Sequence, residues 1–318
     1  MKAIHETNDQ LREVAWMHYV EGLTQAEIAA RRGLSKMKVH RIVQAAHDAG
    51  IVKIFVDGVP SDCIGLETRM IAEFGLSSCT VVPDPDAPHT MDGTMRAVAS
   101  AGARFLHGRL ENTEPMVVGI GSGRTISEVV KALPRIKRRK VEFISATGEF
   151  AALSAANPFE VIHSLIDKTE GKGFAFTAPL VVDQAEDRAL FLRQKSVRRS
   201  VEHLRNAAFI VVGVGHIGPG SFFQEFDLLD DAEQAELGRT GVVADLAGNL
   251  VNSDGGFVDS GIALRMLGME RDLLRSREVI AICAGLEKVR AARAALRTGC
   301  LDGFITTRSV ARRILDTA

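Results

Sequence analysis

The chain has 318 residues, enough for two or three domains around a sizeable core. Its 46% hydrophobic and 25% charged content is that of an ordinary soluble protein, and the net charge of -1 argues against a chain that coats nucleic acid along its whole length. The four cysteines, Cys63, Cys79, Cys283 and Cys300, form no C-x-x-C pair, so neither a zinc site nor a disulfide framework is expected, and reduced thiols fit a cytoplasmic protein. The first ten residues, MKAIHETNDQ, are polar and lack the apolar core of a signal peptide, and no apolar run is long enough to span a bilayer.

In chain order, Leu11, Val14, Ala15, His18 and Tyr19 trace an amphipathic helix. The stretch LTQAEIAARRGLSKMKVHRIVQAAHDAGIV (23–52) then predicts a helix-turn-helix. Thr24 and Glu27 make a capping box, Ile28 and Ala29 supply a buried face, and Gly33 suits a left-handed inter-helix turn anchored by Leu34. Ser35 caps the second helix. There Val39, Ile42, Val43 and Ala46 recur on one stripe, and Gly50 ends it. Five Lys or Arg residues and no carboxylate lie between Arg31 and Arg41. Cations neutralise phosphates and groove-facing side chains read bases. Ser35, Lys36, Met37, Lys38, His40 and Arg41 are therefore the candidate DNA contacts, with Gln25 fixing the register on the backbone. The competing reading is a solvated helical hairpin.

Residues 51–56 read as a short strand or wing, and 58–61 as a joint, so a helix-turn-helix domain over 1–57 precedes a second domain over 58–318. In the latter, 67–74 and 91–110 read as helices and 82–88 as a proline-rich loop. Short apolar runs ending in small-residue loops then alternate with helical segments. The runs are 116–120, 141–145, 207–215, 278–285 and 303–307; the helices are 125–133, 287–297 and 309–315. Residues 242–255 suggest a hairpin. This alternation predicts an α/β fold, a largely parallel Rossmann-like sheet with helices on both faces. The basic run 135–140 reads as a solvated helix end, with a second DNA contact as the minority reading.

Gly119, Gly121, Ser122, Gly123, Arg124 and Thr125 follow one strand and open a helix. Their glycine amides, helix dipole and hydroxyls make an anion cradle. The segment is neither a P-loop, since no Gly-Lys-Ser/Thr ends it, nor a dinucleotide fingerprint, since the third glycine and downstream acid are missing. Open α/β sheets bind ligands beyond the carboxyl ends of their strands. Thr147, Gly148, the loop 216–221, Asp245 and Lys288 stand at such ends and join the candidate effector site. No catalytic set, metal site or cofactor is assigned, because the nine histidines do not cluster with the cysteines.

Taken in order, the front segment, VVGIGSGRTI, FTAPLVV, VVADLAGNLVNSDG, VIAICAGLEKVRAARAALRTG and FITT resemble the SorC-type sugar-binding transcription regulators over nearly the whole chain. The resemblance implies an N-terminal DNA-binding domain and an effector domain similar to phosphosugar isomerases and deaminases. It also implies a sugar, polyol or sugar-phosphate effector, double-stranded operator DNA as partner, and a dimer or tetramer. By motif, the phosphate loop is 119–125, the acidic pocket residue Asp245 and the pocket lysine Lys288. The chain departs from the pattern at Thr307 and Arg308, where the family often has an acid after Ile-Thr, and at Ala146-Thr147-Gly148-Glu149, where paired glycines are common. An enzymatic alternative, a phosphosugar isomerase or deaminase, finds some support in the histidine loop 213–218. It lacks a dense acidic motif near the second glycine loop.

Overall fold

A computed structural model describes residues 2–52, 58, 60–85, 91–111, 114–150, 157–259 and 261–316. The chain divides into two compact units, Met1–Phe55 and Val56–Ala318.

The first unit is helical: α1 (Lys2–Tyr19), α2 (Gln25–Arg32) and α3 (Lys36–Asp48). Both halves of the capping box form, with Thr24 N–H donating to Glu27 Oε2 at 2.7 Å and Glu27 N–H to Thr24 Oγ1 at 3.3 Å. Gly33 ends α2 at φ 63°, a left-handed turn that costs glycine nothing. Ser35 then caps α3 by accepting from Lys38 N–H at 3.2 Å. Leu11, Val14, Ala15, Met17, Ile28, Ala29, Val39, Ile42, Val43 and Ala46 meet in one core, with Leu23, Leu34, Ile51 and Val52 against it. Tyr19, expected on the apolar face, is 40% exposed, because its hydroxyl turns outward to bond His47 Nε2. The suggested strand over 51–56 lies mostly outside the described residues, and Ile51 and Val52 belong to no regular element.

The second unit runs α4 (Ser61–Phe74), β1 (Ser78–Val82), α5 (Met91–Leu110), β2 (Met116–Ile120), α6 (Arg124–Ala132), β3 (Val141–Ser145), α7 (Pro158–Thr169) and β4 (Lys172–Phe174). It continues through α8 (Ala185–Arg193), α9 (Lys195–Arg205), β5 (Ala207–His216), α10 (Phe222–Glu225), α11 (Asp231–Arg239), β6 (Val242–Leu246) and β7 (Asn249–Asn252). It closes with α12 (Arg271–Ser276), β8 (Val279–Ile282), α13 (Val289–Arg297), β9 (Gly303–Thr307) and α14 (Arg308–Asp316). The strands lie in the order β1-β9-β8-β5-β2-β3-β4, every neighbouring pair parallel. β5 outruns its neighbours, and the antiparallel β6–β7 hairpin pairs with its last residues, 214–216.

Side chains of β5 alternate between two layers. Ile210, Val212 and Val214 enter a core shared with α4, α9, α13 and α14. Phe209 faces the other way and meets Phe105 of α5 edge-on at 6.0 Å. Arg109 lies 4.2 Å over that ring and is held by two bonds to Glu278, at 2.6 and 2.8 Å.

Several elements differ from the expectation: α7, β4, α8, α9, α10, α11 and α12 were not anticipated, and α4 and β1 show why such elements escape. The helix expected over 67–74 begins at Ser61, because Cys63, Leu66 and Met70 are buried at helical spacing beyond the break at Pro60. β1 was not anticipated: its half-polar SCTVV becomes a strand by pairing with β9, Ser78 opposite Gly303. The basic run 135–140 is engaged within the unit: Arg138 bonds the carbonyls of Leu110 and Glu111, and Arg139 pairs with Glu170 at 2.7 Å.

Ile28 is fully buried between helices of the small first unit. Ile28→Ala should cost ~2–5 kcal/mol there. The single tryptophan, Trp16, lies in α1. Its fluorescence should report the transition moving to lower denaturant.

Candidate functional site

The order in which strands are added reverses between β2 and β5. From β2 the chain continues to β3 and β4 on one side; β5, its other neighbour, leads to β8 and β9 on the opposite side. Loops leaving such adjacent strands part, and a crevice opens at their carboxyl ends. Here the crevice is a cleft lined by residues 121–125 after β2, 212–216 of β5, Thr147 after β3, Asp245 of β6 and Lys288 after β8.

The floor is the entry to α6. Gly121 N–H donates to Val211 O at 2.8 Å, which pins the loop to β5, and a Cβ there would sit 3.1 Å from the Val212 Cα. Gly123 takes φ 99° as the N-cap and supplies no side-chain bond. The first bond of the helix runs from Ser127 N–H to Gly123 O at 3.0 Å. The N–H groups before Ser127 thus have no carbonyl within α6, and its positive dipole end faces the cleft. Two buried hydroxyls beside it, Thr125 Oγ1 and Thr147 Oγ1, have no hydrogen-bond partner among the described residues. Native structures pair most such groups, so two of them together mark this part of the unit as a candidate site.

The opposite wall carries charge. Asp245 faces Gly215 across the β5–β6 pairing, and glycine makes the room, since a Cβ at Gly215 would lie 3.2 Å from that of Asp245. Asp245 Oδ1 accepts from Gly248 N–H at 2.8 Å. Burial pushes its carboxyl from the ordinary 3.8 up to about 7, against the opposing pull of the Gly248 and Asn249 amides. Lys288 is buried at the turn before α13 and has no ion-pair partner among the described residues. Leu180, Val212, Val214, Ala247 and Phe222 complete an apolar side. Phe222 packs edge-on against Phe150 at 4.8 Å. One cleft thus combines donors suited to an anion, a carboxylate suited to hydroxyl groups, and an apolar wall suited to a carbon chain.

Of the residues anticipated for this site, Gly121, Ser122, Gly123, Arg124, Thr125, Thr147, Asp245 and Lys288 line the cleft together. His216 of the anticipated 216–221 loop lines it as well, whereas residues 217–221, Gly119 and Gly148 stand outside the lining. Gly119 lies within β2, where a Cβ would come within 2.8 Å of Ile210 and Leu204. Gly148 donates to Leu267 O at 2.9 Å, and a Cβ there would meet Pro179 O at 2.6 Å. Both are small because backbone or core crowds them. Leu180, Phe222 and Ala247 were missed, having no signal beyond their apolar character. Thr307 is buried and Arg308 pairs with Asp62 at 2.9 Å, so the family departure at these positions joins α14 to α4 and lies outside the cleft lining.

In the first unit, Lys36, Lys38, His40 and Arg41 are exposed along α3, and Met37 is 70% exposed. Ser35 caps the helix, and Gln25 opens α2, half-buried. Arg31 and Arg32 are paired with Glu21 and Glu13, whereas Lys36, Lys38 and Arg41 have no ion-pair partner among the described residues. The unpaired cations thus gather on the second helix.

A family model described as "Putative sugar-binding domain" matches residues 59–316. The erythritol catabolism regulatory protein EryD of Brucella abortus is 31% identical over 301 residues, covering 95% of this chain and 94% of its own. The transcriptional regulator LsrR of an Enterobacter strain is 28% identical over 95% of this chain and 91% of its own. Among solved structures, the full-length sorbitol operon regulator SorC from Klebsiella pneumoniae shares the fold at a TM-score of 0.74, with 22% identity over 96% of this chain and 97% of its own. A DeoR family transcriptional regulator from Listeria monocytogenes gives a TM-score of 0.72, with 23% identity over 79% of this chain and 99% of its own.

A helix-turn-helix unit followed by an open parallel sheet with a cleft at its switch point defines a ligand-binding transcriptional regulator. The chain belongs to the SorC-type family of sugar-binding transcriptional regulators. Its relatives are regulators, and the isomerase or deaminase alternative is set aside on that ground.

Asp245 gives the folded chain a pH signature. Its raised value means the native state holds a proton that the unfolded chain releases, so its contribution to stability is complete below about 3.8 and is lost as pH rises to about 7. Unfolding titrations across that window should show this loss, at most ~1.4 kcal/mol per pH unit. Asp245→Asn should flatten it.

Proposed function

We propose that the protein controls a carbohydrate or polyol catabolic operon: residues 1–57 read operator DNA and residues 58–318 sense a sugar, a polyol or a sugar phosphate. The observation that carries the effector half is the pair of buried, unpartnered hydroxyls, Thr125 Oγ1 and Thr147 Oγ1, beside the uncapped start of α6. A phosphate or hydroxyl oxygen seated there accepts from the free amides and both threonines. Arg124 and Lys288 add positive charge to an anionic ligand, and Asp245 accepts from hydroxyls at the far end. Phe222 covers the carbon chain. Erythritol is the first small polyol to test, because the similar EryD regulates its catabolism.

For DNA, Lys36, Met37, Lys38, His40 and Arg41 of α3 face the major groove, with Ser35 and Gln25 at the backbone. One recognition helix reads only a few base pairs, so a homodimer or homotetramer presents two or more to a palindromic operator. The effector acts through its different affinity for two arrangements of the assembly. We place the protein in the cytoplasm with its operator; among the described residues no helix is long and apolar enough to cross a membrane.

Thr125→Val and Thr147→Val remove hydroxyls that have no partner in the empty cleft. Each should leave the ligand-free melting temperature unchanged or raise stability by up to ~1 kcal/mol. Each should also weaken the thermal shift given by the effector found in a screen of polyols, sugars and their phosphates. Destabilised variants that respond normally to that effector would refute the cleft.

Lys38→Ala and Arg41→Ala should weaken operator binding by ~1–3 kcal/mol where the side chain reads a base, or lower the salt slope by about one where it meets phosphate. The effector-induced thermal shift should stay as in the wild type. Operator affinity unchanged at every salt concentration would exclude α3 as the reading helix.

A further inference from the structure

Arg124 opens α6 at the edge of the cleft, and its guanidinium is already engaged. Nη1 lies 3.5 Å from Glu225 Oε2, and Nη2 lies 3.4 Å from Gly220 O. Both contacts are long for charge-assisted bonds, which run about 2.7–2.9 Å. The two side chains are 47% and 40% exposed, a setting in which ion pairs are weak and easily exchanged. Arg109 shows the contrast, gripped by Glu278 at 2.6 and 2.8 Å. Glu225 closes the single turn α10, whose first residue, Phe222, forms part of the cleft wall. A carboxylate thus stands beside the cation nearest the uncapped end of α6 and next to a wall of the same cleft.

This placement sets a competition. An anion seated on the α6 amides and the two unpartnered threonine hydroxyls approaches the guanidinium that Glu225 now holds. It either displaces Glu225 or endures its negative charge at short range. A neutral polyol needs neither Arg124 nor its release. The turn can yield its carboxylate without unfolding: Phe222 and Phe226 remain packed on Phe150, both at 4.8 Å, and Gly220 N–H remains bonded to Gln224 Oε1 at 2.8 Å. Left-handed residues flank the turn, Gly218 and Gly220 before it and Asp227 after it.

We infer that Glu225 is a specificity-determining residue of the cleft, an internal anion that occupies Arg124 in the empty protein and handicaps phosphorylated ligands relative to neutral ones. The inference rests on the effector reading above and extends it to the choice between the two ligand classes.

Its test is calorimetric titration of the full-length wild type, Glu225→Gln, Arg124→Gln and the double variant. The probes are inorganic phosphate, erythritol and erythritol phosphate. Glu225→Gln should bind both phosphates about 3- to 10-fold more tightly, with erythritol affinity within about twofold of the wild type. If the wild type binds erythritol alone, Glu225→Gln should gain measurable phosphate binding. Arg124→Gln should weaken the phosphates, and adding Glu225→Gln to it should give a smaller gain than in the wild type, because the two residues act on one another. Unchanged or weaker phosphate binding in Glu225→Gln, with wild-type ligand binding intact, overturns the role of Glu225 alone. Absence of phosphate binding in both the wild type and Glu225→Gln overturns the anion seat on α6 and with it this inference, whereas the wider effector reading stands or falls by the screen of polyols, sugars and their phosphates.

Discussion

The bond from Gly121 N–H to Val211 O carries more of this protein than its 2.8 Å suggests. It ties the loop leaving β2 onto β5 at the point where the strand order reverses. With that loop fixed, α6 starts over the cleft with its first amides unspent, and Gly123 at φ 99° sends the chain into the helix without a capping side chain. Any larger residue at 121 would press on the Val212 backbone. The candidate site therefore begins as a close approach between two backbones, where a side chain at 121 would be crowded.

Beyond that fixed edge, the cleft holds two of the buried side-chain atoms without a hydrogen-bond partner among the described residues; His203 Nε2 and Arg293 Nε are others, outside the cleft lining. The sheet buries apolar side chains on both faces, and Arg109 finds two oxygens of Glu278. In the cleft, two threonine hydroxyls go unmet and a carboxyl is pushed up to about 7 by burial. Each costs stability in the empty protein. All three residues line the same cleft. Such local conflict is expected where structure serves binding.

The two units solve different problems. The helical unit is held by local devices: a capping box at Thr24, a left-handed turn at Gly33, a serine cap at 35, and ten buried residues spaced by helical periodicity. Its unpaired cations lie on the exposed side of α3, where no carboxylate pairs with Lys36, Lys38 or Arg41 among the described residues. The larger unit is held by distant pairings such as β1 with β9 and β5 with β2. Its cleft is lined from seven separated stretches of chain: 121–125, 147, 180, 212–216, 222, 245–247 and 288.

That difference governs how far the chain could be read before its structure was known. Turn glycines, capping residues and alternating apolar runs act over a few neighbours, so the helix-turn-helix, the strands at 116–120, 141–145 and 303–307, and the 121–125 cradle were legible from local order alone. Asp245 and Lys288 were legible as polar residues at strand ends; that they share a cleft follows from the strand order. Strand β1 stayed hidden because its half-polar residues become a strand through β9, more than two hundred positions away. Leu180, Phe222 and Ala247 carry no mark that separates a cleft wall from a core. Gly119 and Gly148 look like cradle glycines in one dimension, yet they are small because Ile210 and the Pro179 carbonyl crowd them. Local sequence specifies which elements form and what chemistry they can offer. Long-range packing selects which of those groups share a space, because distance along the chain does not encode distance across a sheet.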